Sequence, residues 1–434
     1  MSPVRTAPAE LTASNAALRV QYLEEVMALL YPEPCRVTPA GDGTTTGTPA
    51  GDGTATGASA GDGTAAGAAV TQYLVVPDAK RPRLLVPTTS KRVAAAAVRR
   101  YAEPQGRAAR LKRDAVVTAI RTGAARVLMR DRITVTGPSD AGIDAHLRRE
   151  LGRELAVSIH IGPARANRKP VLQLISPDGE TFGFGKLGTG PLTQELVRAE
   201  TTALTTLATA GLSRLSVPSV LHAGQWRGLQ VLIQSALPVW LPRAPLTSAR
   251  LTAAMLDVAG CRGYSSGPLD AGPYWAQLRG RLAAVADRAE GVALAAAAQA
   301  LASRAGHIGL RYGSWHGDWA PWNMANLADT LLVWDWERFT AGVPVGFDAV
   351  HYELQKRIQS TGDATDAVES TVALAGELLA PFDVRPDARE ATALLYLVDL
   401  ATRYLSDRQA EAGARLGVLG TWLLPVLIRR VEAL

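Results

Sequence analysis

Apolar and polar residues alternate in three successive stretches, 157–161, 171–175 and 181–187, and a period of two is what a half-buried strand requires. A polar loop at 163–169 separates the first two, and the turn Pro177-Asp178-Gly179-Glu180 separates the second pair, so a three-stranded antiparallel meander is expected. The period then changes. From residue 191 to residue 210 apolar positions recur at helical spacing, with Pro191 in the first turn and Gly211 just past the end, where each is favoured. Two more strands are expected at 219–222 and 229–234. From Thr247 onward the chain reads as mainly helical, interrupted by a strand-loop-strand segment around residues 315–337.

Upstream of the meander, residues 18–30 have helical apolar spacing that stops at Pro32. Strand-like runs follow at 73–76 and 84–86, and then two helices rich in Ala and Arg at 90–101 and 107–122. Between these parts lie three ten-residue units, TPAGDGTTTG, TPAGDGTATG and ASAGDGTAAG, covering 38–67. Without aromatic or large aliphatic side chains they cannot bury enough surface to offset the entropy of ordering, so a flexible linker is expected. Asp42, Asp52 and Asp62 recur in them, but each unit offers one carboxylate where calcium takes six to eight oxygens. The expected organisation is a helical segment at 1–37, a linker at 38–69, a basic α/β extension at 70–150, a small lobe at 151–237 and a helical lobe at 238–434.

Charge sharpens this division. The net charge of +6 is carried by one region: the span 80–132 alone is +12, residues 1–79 are −5, and residues 133–434 are −1. Arg99, Arg100, Arg110, Lys112 and Arg113 suit contacts to nucleic-acid phosphates. A solvated basic face is the preferred reading, because no aromatic residue interleaves except Tyr101. No apolar run reaches the roughly 20 residues of a membrane span, and the first residues lack the apolar stretch of a secretory signal. Cys35 and Cys261 are the only cysteines, which suits neither a disulfide framework nor a zinc site. A reduced, cytoplasmic setting is expected.

The chemistry concentrates in His316-Gly317-Asp318-Trp319-Ala320-Pro321-Trp322-Asn323. Phosphoryl transfer to a hydroxyl needs a carboxylate to orient the acceptor and take its proton, plus oxygen ligands for magnesium. An Asp and an Asn five residues apart on one loop can supply both. Twelve positions later the apolar run Leu331-Leu332-Val333-Trp334 delivers Asp335, a charge that is costly there unless paired or bound to metal. The segment HGDWAPWN followed by VWDWE resembles the catalytic loop and metal-binding segment of the aminoglycoside phosphotransferase and choline kinase superfamily. That resemblance implies a two-lobed, protein-kinase-like α+β fold, with a small antiparallel lobe, a mainly helical large lobe and here an N-terminal extension. It implies ATP and Mg2+ as cofactors, Asp318 as catalytic base, Asn323 and Asp335 as magnesium ligands, and His316 as the residue that holds the loop in shape. Glu337 stands where protein kinases carry the Gly of their Asp-Phe-Gly segment, which favours small-molecule kinases. The five neighbouring tryptophans, Trp315, Trp319, Trp322, Trp334 and Trp336, read equally as core.

A kinase-like small lobe places a Lys on its third strand and a Glu on the next helix. Lys186 ends the third strand. Leu196, Glu200, Leu204 and Leu207 share one helical stripe, so Glu200 faces the core and calls for a cation; Lys186 is the candidate, and Glu195, on a more polar face, is the alternative. The loop at 163–169 is not Gly-rich. Arg165, Arg168 and Lys169 are candidates for phosphate contact, with solvation as the preferred reading of each. Gln234, Ser235 and Ala236 would form the hinge against adenine through backbone groups.

The expected reaction is transfer of the ATP γ-phosphoryl group to a hydroxyl of a small molecule such as a sugar, an amino alcohol or an antibiotic. The alternatives are a catalytically inactive kinase-like binding module and a nucleic-acid-associated protein acting through the basic span. A polycationic acceptor needs several carboxylates. Asp348, Glu353, Asp363, Asp366 and Glu369 are available, but helical-face solvation accounts for most of them, and the near-neutral balance of 133–434 favours a neutral or singly charged polyhydroxylated acceptor.

Overall fold

The structure, a computed structural model, describes residues 8–40, 69–101, 107–125, 129–163, 165–414 and 416–434. The chain divides into two compact units, Met1–Pro163 with Pro170–Lys186, and Ala164–Lys169 with Leu187–Leu434. Most of the repeats lie outside the described residues.

The first unit is built on one antiparallel sheet. Its elements are α1 (Pro8–Leu30), β1 (Arg36–Ala40), β2 (Ala69–Val76), β3 (Leu84–Pro87), α2 (Lys91–Tyr101), α3 (Arg107–Thr122), β4 (Arg132–Gly137), α4 (Ile143–Leu151), β5 (Ala156–His160), β6 (Val171–Ile175) and β7 (Thr181–Gly188), whose last two residues enter the second unit. The strand order is β1-β4-β2-β3-β5-β6-β7. The expected meander is β5-β6-β7, with Val157 opposite Leu174 and Leu174 opposite Gly183. The pairing of Leu85 with Ile159 carries the same sheet into the basic span, which is therefore continuous with the meander.

Two expectations are corrected at the edge. Residues 38–40, assigned to the linker, form the end of β1 and pair with β4, Thr38 opposite Thr134. Residue 69 likewise begins β2. The lack of aromatic and large aliphatic side chains made this stretch read as linker, but β1 is an edge strand, where the missing N–H of Pro39 is tolerated. One face of the sheet is covered by α2 and α3, whose Val93, Ala97, Val117 and Ile120 form a buried cluster with Leu84, Val86 and Ile175.

The second unit begins with α5 (Pro191–Leu207), then β8 (Leu215–Ser216), β9 (Val220–Trp226) and β10 (Leu229–Ser235). Arg227 and Gly228, both at positive φ, close the β9–β10 hairpin in the conformation that matches strand twist. There follow α6 (Ser248–Gly260), β11 (Ser265–Pro268), α7 (Pro273–Ala283), α8 (Ala289–Ala305), β12 (Gly309–Trp315), β13 (Met324–Asn326), β14 (Leu331–Val333), β15 (Thr340–Pro344), α9 (Phe347–Thr361), α10 (Ala364–Ala373), α11 (Ala375–Leu379), α12 (Arg389–Ser406) and α13 (Leu424–Ala433). Two small sheets, β11-β12-β15 and β13-β14-β8, sit among the helices.

Of the 18 residues of α12, 13 are buried, so this helix is surrounded on nearly all sides. Leu394, Leu395, Leu397 and Val398 join Trp315, Phe347, Val350 and Leu354 in the main core. That core lies under the segment between β12 and α9, and it fixes the backbone from which the loop at 316–323 departs.

Candidate active site

The loop leaves β12 buried and returns through a 3-10 turn, Pro321–Asn323, into β13. Its backbone is held from below. Asp348, in the first turn of α9, accepts hydrogen bonds from His316 N at 2.7 Å and Gly317 N at 3.1 Å. Arg403 of α12 donates to Gly317 O at 2.5 Å. Gly317 has φ +84°, and a Cβ there would meet Arg338 O at 2.5 Å, so no other residue fits without moving the chain.

His316 is fully buried. Its Nδ1 accepts from Asp318 N at 3.1 Å, and its Nε2 lies 3.0 Å from Trp334 O. Burial pushes its pKa down to about 4, so the ring is neutral, and this pairing requires the proton on Nε2. One imidazole thereby ties the loop to the chain that carries Asp335. Trp334 N also donates to Asn323 O at 3.0 Å, a second tie between the same two segments.

Asp318 is the half-buried member of this group. Its Oδ2 accepts from Asn323 Nδ2 at 3.1 Å, and its Oδ1 lies 3.1 Å from His351 Nε2. Asn323 Nδ2 also donates to Asp318 O at 2.9 Å. Burial works to raise the Asp318 pKa, but the His351 hydrogen bond and the charge of Arg403 outweigh it, and the net shift is downward. Asp318 is therefore ionised at neutral pH. Asp348 is opposite: burial raises it to about 7 against the two backbone N–H groups that favour its charged form.

Asp335 follows β14 with φ +72°, an uncommon conformation for a non-glycine residue that sites retain at a cost. Its carboxylate lies with those of Glu200 and Glu337 in a group whose oxygens are all within 4.8 Å of one another. Glu200, fully buried on α5, accepts from Trp336 N at 3.3 Å. Glu195 is exposed, so the inward carboxylate of that helix is Glu200. Lys186 is buried on β7 at the end of the first unit.

Sequence reasoning missed part of this arrangement. Asp348, considered as an acceptor carboxylate, is spent on the loop backbone. His351 and Arg403 were not singled out, although His351 sits beside the apolar stripe Phe347, Val350, Leu354, the kind of signal that marked Glu200. Lys169, expected in solvent, forms a buried ion pair with Glu337, whose Oε1 also accepts from Asn167 Nδ2 at 3.2 Å; Arg165 is exposed as expected. Among the tryptophans, Trp315, Trp319 and Trp336 are core, whereas Trp322 is 43% exposed. At the expected hinge Gln234 is buried, and the Ser235 N–H donates to Ser219 O at 2.8 Å.

No family profile and no curated protein matches the sequence. Solved structures similar to the chain include a proposed fructosamine-3-kinase of Haemophilus somnus (13% identity, 67% of this chain and 96% of that one, TM-score 0.40). A thermostable mutant of aminoglycoside phosphotransferase APH(4)-Ia gives 14% identity over 67% of this chain and 99% of that one, with a TM-score of 0.43. Choline kinase LicA of Streptococcus pneumoniae gives 14% identity over 61% and 90%, with a TM-score of 0.39.

Proposed function

We propose that the chain is an ATP-dependent phosphotransferase that moves the γ-phosphoryl group to a hydroxyl of a small molecule. The observation that supports this reading is the Asp318 carboxylate, kept ionised and half open, with one oxygen oriented by His351 and the other by Asn323. A group so fixed can accept a hydrogen bond from an alcohol and receive its proton as the new P–O bond forms. The bond from phosphorus to the nucleoside diphosphate breaks, and the proton passes from Asp318 to solvent. Little covalent work is asked of the protein, and positioning with charge stabilisation supplies the rate.

The donor set suits a hard cation. Asn323 and Asp335, the proposed magnesium ligands, offer oxygen only, and Glu200 and Glu337 add carboxylates beside Asp335; no His or Cys is in that group, which disfavours zinc. When bound, Mg2+ supplies neutralisation of the phosphate oxygens. The chain's own residues hold the rest: the Asn323 amide is turned so that its nitrogen faces Asp318, leaving its oxygen for another partner.

Acidic side chains offered for a polycationic acceptor are largely engaged within the protein. Asp348 holds the loop, Glu353 pairs with Lys356 and Arg357, Asp363 caps α10 by accepting from Asp366 N, and Glu369 pairs with Arg429. This supports a neutral or singly charged polyhydroxylated acceptor, such as a sugar or a sugar-bearing metabolite. The test is release of ADP from ATP and Mg2+ across a panel of sugars, amino alcohols and aminoglycosides, with Asp318→Asn as control. Nucleotide binding without acceptor-dependent ADP release on any of them would favour a binding module instead.

A further inference from the structure

We propose that His351, fixed in turn by Tyr396, is the positioning residue that sets the orientation of the Asp318 carboxylate for transfer; this rests on the phosphotransferase reading above. His351 is on α9, one turn after Asp348, and is fully buried. Its Nδ1 lies 2.7 Å from the Tyr396 hydroxyl of α12, and its Nε2 lies 3.1 Å from Asp318 Oδ1. Burial lowers the His351 pKa in spite of the neighbouring carboxylate, and burial first of all raises that of Tyr396. A neutral ring and a protonated phenol leave one consistent arrangement: Tyr396 O–H donates to Nδ1, and Nε2–H donates to Asp318.

The line Tyr396–His351–Asp318 thus runs from the centre of the main core to the half-open carboxylate. A histidine serving only the core would satisfy both nitrogens on buried groups, since an unmade bond there is costly. Here one nitrogen is committed to a side chain that water could reach, with 35% of its surface exposed. Beyond favouring the charged form, the bond gives Asp318 a direction that solvation does not supply. Asn323 holds the other oxygen, and two donors from two elements define the plane of the carboxylate, which neither alone can do.

The charged and titratable groups facing this pair include His316 and Asp335 from the loop side, Asp348 on α9, and Arg403 and Tyr404 on α12. Without His351 the Asp318 Oδ1 loses this donor, and Asn323 alone is left to orient the carboxylate. The expected result for His351→Leu is therefore a fall in kcat of about 10- to 100-fold, the range that a misplacement of the reacting group produces, with KM for ATP nearly unchanged.

His351→Gln, whose amide can donate to Asp318, should recover much of the rate, and Tyr396→Phe should show a smaller loss in the same direction. Melting temperatures are measured for all three. If His351→Leu and His351→Gln fold and lose equal rate, the positioning role is overturned. If His351→Leu does not fold, Tyr396→Phe decides, and a wild-type rate in that variant overturns it as well. An inactive wild type would instead overturn the phosphotransferase reading. The hydrogen-bond line would then be judged by nitrogen NMR of His351, where a proton on Nδ1 would remove it and a proton on Nε2 whose signal moves in Asp318→Asn would retain it.

Discussion

Two pairs of helices in this molecule treat charge in opposite ways. In the first unit α2 and α3 place Val93, Ala97, Val117 and Ile120 inward, and Lys91, Arg92, Arg99 and Arg121 in solvent. In the second unit α9 and α12 bury Asp348, His351, Gln355 and Asp399 among their apolar residues. An inward carboxylate or imidazole costs several kcal/mol unless each polar atom is matched. Each of the three on α9 and α12 that ionises is matched: loop amides for Asp348, Tyr396 and Asp318 for His351, and Tyr274 with Arg281 for Asp399. Two of these three end at the loop 316–318. Where polar groups are carried inward against that cost and converge on one loop, the loop is what they serve.

The comparison is broken most directly at the loop itself. Asp318→Asn should lower turnover by about 10²–10⁴, the range associated with loss of a positioned base, while nucleotide affinity measured by calorimetry stays close to wild type. Wild-type turnover in this variant would remove Asp318 from the chemistry and leave α9 and α12 without a functional reason for their buried charge.

Asp348 is the next largest. Asn at 348 offers one acceptor where two loop amides need two, and an unmet buried donor costs roughly 1–3 kcal/mol. The variant should melt lower and turn over more slowly. The pH dependence has a definite sign. Because the folded pKa stands at about 7 against an ordinary 3.8, the folded state binds more protons in that window, and this group's contribution to stability is present at low pH and lost as pH rises through about 7. The melting advantage of wild type over Asp348→Asn should therefore shrink between pH 4.5 and pH 8. A constant gap would show that Asp348 does not titrate there.

How much of this could be read in advance differs between the same two regions. The strands β5, β6 and β7 and the helix α5 announce themselves because their periods are set by one buried face, and the loop 316–323 is legible because its residue types and spacing are local. Asp348, His351 and Arg403 are not, since they reach the loop from 31 to 86 residues away and only the packing of α9 and α12 brings them there. Lys169 was misread for the same reason: its partner Glu337 is 168 residues distant. The end of β1 was hidden by the composition it shares with the repeats, and β4 was not singled out although Ile133 and Val135 alternate.

The sequence pairs Glu200 functionally with Lys186, and a double-mutant cycle tests that pairing. Lys186→Ala and Glu200→Ala should each impair transfer, and the double variant should lose less than the sum by about 0.5–3 kcal/mol if the two act as one unit. Strict additivity in kcat/KM would assign Glu200 to the Asp335 and Glu337 group alone.

The smallest effect belongs to the outward-facing pair. Replacing Arg92 or Arg99 by Ala removes a charge that lies in solvent on α2, so stability should change by no more than about 0.5 kcal/mol and the rate of transfer not at all. The same substitutions bear on the one alternative role the basic span admits. If it bound nucleic acid, each lost contact to a phosphate would flatten the dependence of affinity on salt by nearly one counterion. A fragment is not needed for this: fluorescence polarisation of a labelled DNA or RNA with the full chain, across a salt series, reads the slope directly. Absence of salt-sensitive binding is the expected outcome. A steep slope that falls stepwise in the Arg92 and Arg99 variants would overturn the reading of α2 and α3 as a solvated face, and would mean that charge on this molecule is functional on both its inward and its outward helices.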